Sequence, residues 1–593
     1  MKRIVTLIAI LFSACLYGQK VDTTQSIFEN SSVYRDYREV YLSNLGQAKY
    51  HLLSPFQSNN RQFLKLFPDS SNSSTFTDVF YVSGSGRENY VEVIHNQKLS
   101  KSLVGKAKIL KTTSEGIYVS NEAELSNFEI GLSFLPKNKQ YQFEANFANY
   151  KRYSNLNGGI SDSTFFSLLD SSNGNLKSTF PNQFKVGSGS NSNNMDLKIM
   201  NIDFAHAYRL GATKSDSTKY FQLRQKLTYS RTQRNTKLIN SGDFFQNYFQ
   251  DSVTTSDSLR LEQLSHRFQL EWVSTHSNLA FGIGQNYYEY SSLAPFQVHL
   301  ENLLYGVYRF QKDSLQVESY GEFMISEGGY ESFELKNKAT VIKSTEALFT
   351  KLSLEANYFT DLPELYFNQY ASNHFVWNQV NNRNSIIQLK AQASNNSKRY
   401  GASLHFENQN NAVFFDENSL PIQTQIAYLN LTLNKEFKFT EWFYLNSNLH
   451  VQDVLTEASI EVPNVLLQSS VFFRGRLIKK VLRFKAGFNV LYYSRFTPRN
   501  YNPALDEFTL QSSQTVGNYP IIDVFSEFYI KRNFSFFVLV SHVNSNVFTA
   551  ANLNNINPNW NLSNDFGQNY LAVSQYPIQD RAFKFGIKWR LFD

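Results

Sequence analysis

The sequence of 593 residues predicts an all-β fold, a transmembrane antiparallel up-and-down β-barrel of about 18 to 22 strands, with about 22 favoured. Two patterns predict this fold. Many segments alternate between apolar and polar residues, and the connections between them alternate between short and long. A third observation argues against membrane helices: beyond the first 20 residues, no apolar stretch approaches the roughly 18 residues that such a helix needs.

The alternation is clear in LRFKAGFNVLYY (482–493), where Arg483, Lys485, Gly487 and Asn489 separate apolar residues. Successive side chains of a strand point to opposite faces, so this strand has one apolar and one polar face. The segments AYLNLTLN (427–434) and RFQLEW (267–272) follow the same pattern. Aromatic residues make up 16% of the chain, yet the mean hydropathy is −0.38, because the aromatics are spread among polar residues.

Connections supply independent evidence. Short polar turns are predicted near 137–139, 275–277, 311–313, 343–345, 395–398, 436–438, 478–480 and 531–533. Long linkers rich in Asn, Ser, Asp and Gly are predicted near 151–194, 232–261, 360–384, 409–422, 495–519 and 546–581. Membrane barrels have short periplasmic turns and longer extracellular loops, and an even strand number leaves both termini in the periplasm.

Closure of the sheet is required because backbone groups in lipid must be satisfied internally. The apolar face then meets outer-membrane lipid and lipopolysaccharide, and the polar face lines a lumen. Strand side chains cannot fill so wide a barrel, so water, inward-folded loops or the N-terminal segment must occupy it. Loop 360–384, which mixes aromatic residues with Asn and Gln, can form a constriction, stack on a sugar or cap the barrel.

The N-terminus predicts export through the inner membrane. Lys2 and Arg3 precede an apolar run, Ile4 to Leu16, and Gly18 offers a cleavage site, so residues 1–18 form a signal peptide. The single cysteine, Cys15, lies within it, and lipidation there is the alternative. Residues 19–75 are predicted to be a periplasmic or lumen-lying extension, or more sharply a plug, and residues 76–593 the barrel.

Several chemistries lack support in the sequence. The formal charge of +7 is small for this length and is not gathered into basic blocks, which argues against nucleic-acid binding. None of the ten histidines forms H-E-x-x-H or a close ligand pair, and no cofactor motif occurs. His542 in SHVN is a lumen or interface residue with at most a secondary role. No G-x-S-x-G is present, although separated Ser, His and Asp residues can still meet in a barrel.

The C-terminal stretches 501–544 and 576–593 resemble the characteristic ending of a family of Bacteroidetes-type outer-membrane barrels described as "Putative porin". Further similarity lies in SNLG (43–46), in 93–130 and in NLNGGI (155–160). The resemblance implies an outer-membrane β-barrel that acts as a pore for small hydrophilic solutes. A structural or secretion-associated barrel with an occluded lumen is the alternative, and an outer-membrane hydrolase a third. A homo-oligomer is one option.

The last strand, FKFGIKWRLFD (583–593), also resembles the signal by which the barrel-assembly machinery recognises its clients. The matching positions are Lys584, Gly586, Trp589 and Leu591, although Phe592 and Asp593 follow them. Inward charges on this strand and others either bias a pore toward anions or are solvated wall charges offset by Glu271, Glu301 and Glu355. These candidate lumen-facing charges are Arg224, Lys226, Arg483, Lys485, Lys584, Lys588 and Arg590.

Replacing both Trp589 and Leu591 by Asp should block insertion, because it puts two carboxylates on the lipid face of the closing strand. The measurement is the amount of folded protein in isolated outer membranes, with Lys588→Asp on the opposite face as control. Normal outer-membrane levels of the double variant would contradict the assignment.

Overall fold

A computed structural model gives the structure of the chain. It describes residues 75–116, 122–137, 140–159, 193–210, 219–239, 244–294, 296–326, 329–343, 347–363, 365–456, 460–479, 481–531, 533–545, 571–573, 576–578 and 581–591. The predicted signal peptide, and all of the predicted N-terminal extension except Thr75, lie outside these residues.

Twenty-two long strands form one closed antiparallel barrel, which confirms the predicted fold class and strand number. They are β1 (Phe76–Gly84), β2 (Glu88–Lys98), β3 (Leu103–Ser114), β4 (Ala123–Phe134), β5 (Tyr141–Asn155), β6 (Asn194–Leu210), β7 (Tyr220–Ile239), β8 (Thr254–Val273), β9 (Ser277–Ser291), β10 (Gln297–Lys312), β11 (Leu315–Ser326), β12 (Gly329–Ile342), β13 (Lys351–Asp361), β16 (Asn384–Asn395), β17 (Tyr400–Phe415), β18 (Pro421–Lys438), β19 (Phe443–Val454), β20 (Val465–Ile478), β21 (Leu482–Tyr493), β24 (Ile521–Ile530), β25 (Phe534–Ser541) and β28 (Ala582–Leu591).

Short elements occupy the connections between the barrel strands. They are the helix α1 (Leu365–Asn368) and the strands β14 (Gln369–Ala371), β15 (Val376–Asn378), β22 (Asn500–Asn502), β23 (Glu507–Thr509), β26 (Leu571–Val573) and β27 (Tyr576–Pro577). Each pair of short strands forms a hairpin. No helix in the described part of the chain is both long and apolar enough to cross a membrane.

The first and last strands close the barrel. β1 pairs with β2 on one side and with β28 on the other, both antiparallel, and Val79 lies opposite Trp589. Beyond the ladder, the Ser85 amide donates to the Phe583 carbonyl at 2.9 Å. Closure removes the free edges that an open sheet would expose, and it satisfies the backbone groups in lipid.

The predicted alternation sets the two faces of the wall. On β28, Phe583, Phe585 and Trp589 are exposed on the outside, whereas Lys584 and Gly586 between them are buried. Other outward strand residues are large, apolar and exposed in the same way, which suits contact with lipid. They include Ile109, Phe128, Ile130, Phe204, Phe221, Leu264, Phe281, Ile283, Leu304, Leu354, Leu389 and Phe488.

The long connections leave the barrel at one end, called here the long-loop end, and the opposite end is the short-turn end. The long-loop end carries connections 156–193, 240–253, 362–383, 494–520 and 542–581. The longest connection at the short-turn end is 211–219. The parity is not complete, because the connections 85–87 and 327–328 at the long-loop end are also short.

Three predicted boundaries are wrong. Much of predicted linker 232–261 is strand, because β7 runs to Ile239 and β8 starts at Thr254. Predicted linker 409–422 likewise belongs mostly to β17 and β18, since the hydrogen-bond ladder continues where the sequence no longer alternates cleanly. The predicted turn at 436–438 lies inside β18, and the chain turns at 439–442 instead.

Gly586 on β28 makes room for an aromatic ring on the inner wall. A Cβ atom built on Gly586 would lie 2.2 Å from the ring of Phe537 on the neighbouring strand β25, far inside van der Waals contact. Phe537 itself is fully buried. A strand glycine of this kind marks close approach of a neighbouring group, here the ring that lies over it.

Gly586→Ala should therefore destabilise the barrel by about 1–3 kcal/mol, the usual cost of overpacking a buried site. The measurement is the temperature at which purified protein loses its heat-modifiable mobility on gels. Gly306→Ala on β10 is the matched control, because its added Cβ would meet nothing closer than 3.6 Å. Equal melting temperatures for the two variants would contradict the packing role of Gly586.

Candidate functional site

Three connections of the long-loop end fold into the mouth of the barrel and pack on one another. The described residues of 244–253, 362–383 and 494–520 are called here the loop cap. The hairpin β14–β15 lies in the second connection and the hairpin β22–β23 in the third. Because the cap contacts the inner faces of strands that are far apart around the barrel, it crosses the mouth and does not lie on the rim.

An aromatic cluster forms the centre of the loop cap. Tyr370 and Trp377 face each other across the hairpin with ring centroids 4.6 Å apart, and the Trp377 indole donates to the Tyr366 carbonyl at 2.9 Å. The cluster joins cap residues to inner residues of β8, β9 and β17. Its buried members are Leu259, Tyr290, Tyr366, Phe367, Tyr370, Trp377, Phe415 and Leu505.

Arg234 of β7 is buried beneath this cluster, with only 2% of its surface exposed. Its guanidinium donates to the Leu505 carbonyl and, at 3.4 Å, to the Tyr370 hydroxyl, and it lies 5.9 Å from the centre of the Tyr366 ring. One side chain of the wall thus holds two different cap connections, 362–383 and 494–520.

A buried ion pair also fixes the third connection, 494–520, to strand β5. Arg152 of β5 donates to Asp506 at 2.7 Å, and the two side chains are only 10% and 4% exposed. The second oxygen of Asp506 accepts from the Tyr501 hydroxyl at 2.7 Å. One oxygen of this buried carboxylate therefore accepts from a charged donor and the other from a neutral donor. Because both oxygens are satisfied, the pair holds the loop firmly.

His374 and Asn373 join the second connection to the first. His374 bonds Thr255 at 2.7 Å and the Asn247 carbonyl at 3.0 Å, and its ring stacks on Phe245 at 3.9 Å. Burial lowers the pKa of His374 below its ordinary value, so the ring is neutral at pH 7. The side-chain amide of Asn373 donates to the Asp251 carbonyl at 2.8 Å.

The seven predicted lumen-facing charges lie on the strand faces opposite the exposed apolar residues. Four of them pair with carboxylates, which are Arg224 with Glu271 at 3.0 Å, Lys226 with Asp203 at 3.8 Å, Lys584 with Glu88 at 2.7 Å, and Arg590 with Asp78 at 2.5 Å. Arg483 lies 5.6 Å from the centre of the Tyr529 ring, and Lys485 lies 4.6 Å from that of Phe472. Lys588 is exposed.

The four positions of the assembly motif divide between the two faces of β28. Lys584 and Gly586 are buried on the inside, and Trp589 is 47% exposed on the outside, edge-on to Phe534. Leu591 is the last residue of the strand and lies opposite Thr77 of β1. His542, the histidine singled out in the sequence, is buried beside Tyr519, whose hydroxyl it contacts at 2.8 Å.

Sequence reasoning missed the residues that hold the loop cap, namely Arg152, Arg234, Tyr501 and Asp506. Arg152 and Arg234 were overlooked because each falls in a stretch treated as a linker. One signal was available: YNPALDEF (501–508) combines apolar and acidic residues in a predicted loop, and all but Phe508 are buried. No group of His, Cys, Asp and Glu suited to a metal ion occurs among the described residues.

These features define a class, the transmembrane β-barrel of outer-membrane type with loops folded into its mouth. The chain belongs to the family described as "Putative porin", whose model matches residues 7–593. This membership confirms the resemblance to a family described as "Putative porin". No curated protein matches the chain.

Solved structures share the fold at low identity. The FrpB iron transporter from Neisseria meningitidis is 10% identical, with a TM-score of 0.56 over 88% of this chain and 82% of that one. A mutant of the ferric enterobactin receptor PfeA from Pseudomonas aeruginosa is 12% identical, with a TM-score of 0.56 over 88% and 81%. The ferric-catecholate import receptor Fiu from K12 E. coli is 10% identical, with a TM-score of 0.53 over 88% and 82%. At these identities the likeness shows the fold alone.

Asp506→Asn should loosen the loop cap, because it removes the negative charge that pairs with the buried guanidinium of Arg152. Breaking one side of a buried pair costs about 3 kcal/mol or more, so amide hydrogen exchange over 500–510 should accelerate about 100-fold. Glu417→Gln is the control, because Glu417 accepts an exposed bond from Ser512 at 2.8 Å in the same loop cap. Unchanged exchange in Asp506→Asn would contradict the anchoring role.

Proposed function

We propose that the protein is a non-enzymatic outer-membrane channel through which small hydrophilic solutes diffuse passively. The carrying observation is a charged inner wall that is open to water along part of the barrel. On β7 and β12, the side chains of Arg224, Lys226, Lys336 and Lys338 are 43%, 46%, 51% and 44% exposed. Inside a closed barrel, such exposure means a hydrated space next to the wall.

Pairing of charges along this wall supports a weakly selective path. Lys336 contacts Glu334, and Lys338 contacts Glu355, so cations and carboxylates lie side by side. Rings of one charge sign would favour ions of the opposite sign, whereas mixed pairs favour neither strongly. Of the two interpretations of the inward charges, the solvated and offset wall is the one we propose.

The loop cap supplies the constriction. It crosses the mouth above the open wall, and its centre is aromatic and buried, so a solute must pass between the cap and the strands. The cap therefore limits the size of what enters. A loop folded into the barrel is the simplest way for a wide barrel to exclude large molecules while admitting small ones.

Location and orientation follow from the same proposal. We infer that the short-turn end faces the periplasm and the long-loop end the exterior, as in other outer-membrane barrels. Outer residues such as Phe281, Ile283 and Leu354 then contact lipid and lipopolysaccharide. The barrel-assembly machinery is the expected partner during insertion, with β28 as the segment it reads.

A second candidate is a barrel that remains occluded, as a structural or secretion-associated component or until a ligand displaces the cap. The observation that favours it is the strength of the cap anchors, since Arg152, Asp506 and Arg234 are all nearly completely buried. The structural neighbours named as an iron transporter and a ferric enterobactin receptor fit this candidate as well. The two candidates differ in whether the resting barrel conducts.

Single-channel recording in planar bilayers separates them. The wild-type protein should give openings in potassium chloride, with weak selectivity between anions and cations. Asp506→Asn should raise the conductance or the open fraction, because it releases connection 494–520 from β5, whereas Glu417→Gln should match the wild type. The absence of openings at any voltage in the wild type, with openings in Asp506→Asn, would replace the channel by the occluded barrel.

A further inference from the structure

The inner wall carries an apolar cluster built from strand residues alone. It spans the closure of the barrel, from β19 to β6, with members on every intervening barrel strand except β21 and β28, and is called here the inner-wall cluster. Its members are Phe80, Val82, Tyr90, Leu110, Leu125, Tyr150, Leu197, Ile199, Tyr444, Phe472, Phe525, Phe537 and Leu539. Each lies on the face opposite the exposed, lipid-facing residues of its strand.

These side chains are more deeply buried than a single-layer wall allows. Val82 and Phe537 are 0% exposed and Phe525 is 1% exposed, and the charged Glu88 and Glu527 beside them are also 0% exposed. A lumen enclosed by 22 strands is too wide for opposite walls to touch, so an inward side chain keeps one side open unless chain covers it. A layer of polypeptide must therefore lie on the inner-wall cluster.

The apolar residues of the described loops pack on other parts of the wall. The two clusters of the loop cap contain residues of the connections that bury them, such as Tyr370 in one and Phe245 in the other. No loop residue among the described ones belongs to the inner-wall cluster. On β28 the Lys584 side chain beside this cluster is 5% exposed, whereas Lys588 and Arg590 nearer the short-turn end are exposed, as is Lys336 across the barrel.

We propose that residues 19–74 dock on the inner-wall cluster and line this side of the lumen. The chain enters β1 at Thr75, at the short-turn end, and β1 itself contributes Phe80 and Val82 to the cluster. The cluster also reaches the short-turn end at Tyr444, the second residue of β19. The undescribed parts of connections 156–193 and 542–581 start from the opposite end of the barrel.

The sequence of this segment suits an apolar wall. YLSNLGQAKYHLLSPF (41–56) and FLKLF (63–67) together supply aromatic and aliphatic side chains among polar ones. Phe67 precedes Thr75 by eight residues, a reach of roughly 26–29 Å in extended chain, which is about the height of a barrel wall in a bilayer. Both apolar stretches can therefore lie within the lumen while the chain stays joined to β1.

Docking would divide the lumen into a covered side and an open side. The covered side extends from β19 through the closure to β6, and the open side carries the hydrated charges of β7 and β12. This docking does not depend on whether the barrel conducts solutes, because the accessibility of residue 82 reports only which chain covers it.

Cysteine labelling tests the proposal directly. Val82→Cys is introduced in the full chain and in a variant that keeps residues 1–18 but lacks 19–74, and both are treated in purified outer membranes with a membrane-impermeant maleimide. The sole native cysteine, Cys15, lies in the predicted signal peptide. Deletion should raise the labelling rate of Val82→Cys at least about tenfold, because a covered thiol reacts only when its cover opens.

Lys226→Cys is the control, since Lys226 is 46% exposed and should be labelled equally in both backgrounds. An equal labelling rate for Val82→Cys with and without residues 19–74 would overturn the proposal. An increase seen only when residues 547–569 are deleted would assign the cover to the connection between β25 and β28.

A second measurement keeps the proposal testable if the deletion variant does not assemble. A photo-crosslinking amino acid at position 537 of the full chain should form its adducts within residues 19–74, as identified by mass spectrometry. Adducts confined to another part of the chain, to a second copy or to lipid would overturn the proposal.

Discussion

The pairing of β1 with β28 is the interaction on which the rest of the molecule depends. Every backbone amide and carbonyl in hydrocarbon needs a partner, and a sheet supplies partners at its edges only by closing. Eight residue pairs from Thr77–Leu591 to Gly84–Lys584 provide the closure. On its outer face Trp589 meets lipid, and on its inner face the buried Lys584–Glu88 pair joins the two ends of the barrel electrostatically.

Closure also separates the lipid outside the barrel from the lumen inside it, so the two faces of the wall can carry different kinds of side chain. The outer face repeats large apolar residues where it faces hydrocarbon. The inner face is not uniformly apolar, and its side chains differ from one part of the wall to another. Hydrated ion pairs line β12, apolar rings line the strands near the closure, and Arg234 is enclosed by cap residues near the mouth. The proposed channel depends on these differences along the inner face.

The sequence predicts what is periodic and local. LRFKAGFNVLYY corresponds residue for residue to β21. The strand count follows from the alternation of short and long connections, and the closing role of β28 from its place as the last strand. The anchors of the loop cap could not be predicted in this way. Arg234 meets Leu505, 271 residues away, and no pattern near either residue encodes that contact. Strands β7 and β17 extend farther than predicted because hydrogen bonding, which sequence periodicity does not report, continues toward the long-loop end.

The contact between Arg152 and Asp506 has a consequence for the order of events during biogenesis. The two residues are 354 positions apart, and Asp506 follows almost all of the barrel strands in the chain. Bringing such distant residues together carries a large loop-closure entropy cost, so contacts of this kind form after the intervening structure. The loop cap can therefore acquire this anchor only after most of the barrel strands have been synthesised. In the mature protein, hydrogen exchange in this connection would report on the integrity of the whole wall, because its anchors lie on strands far apart in the chain.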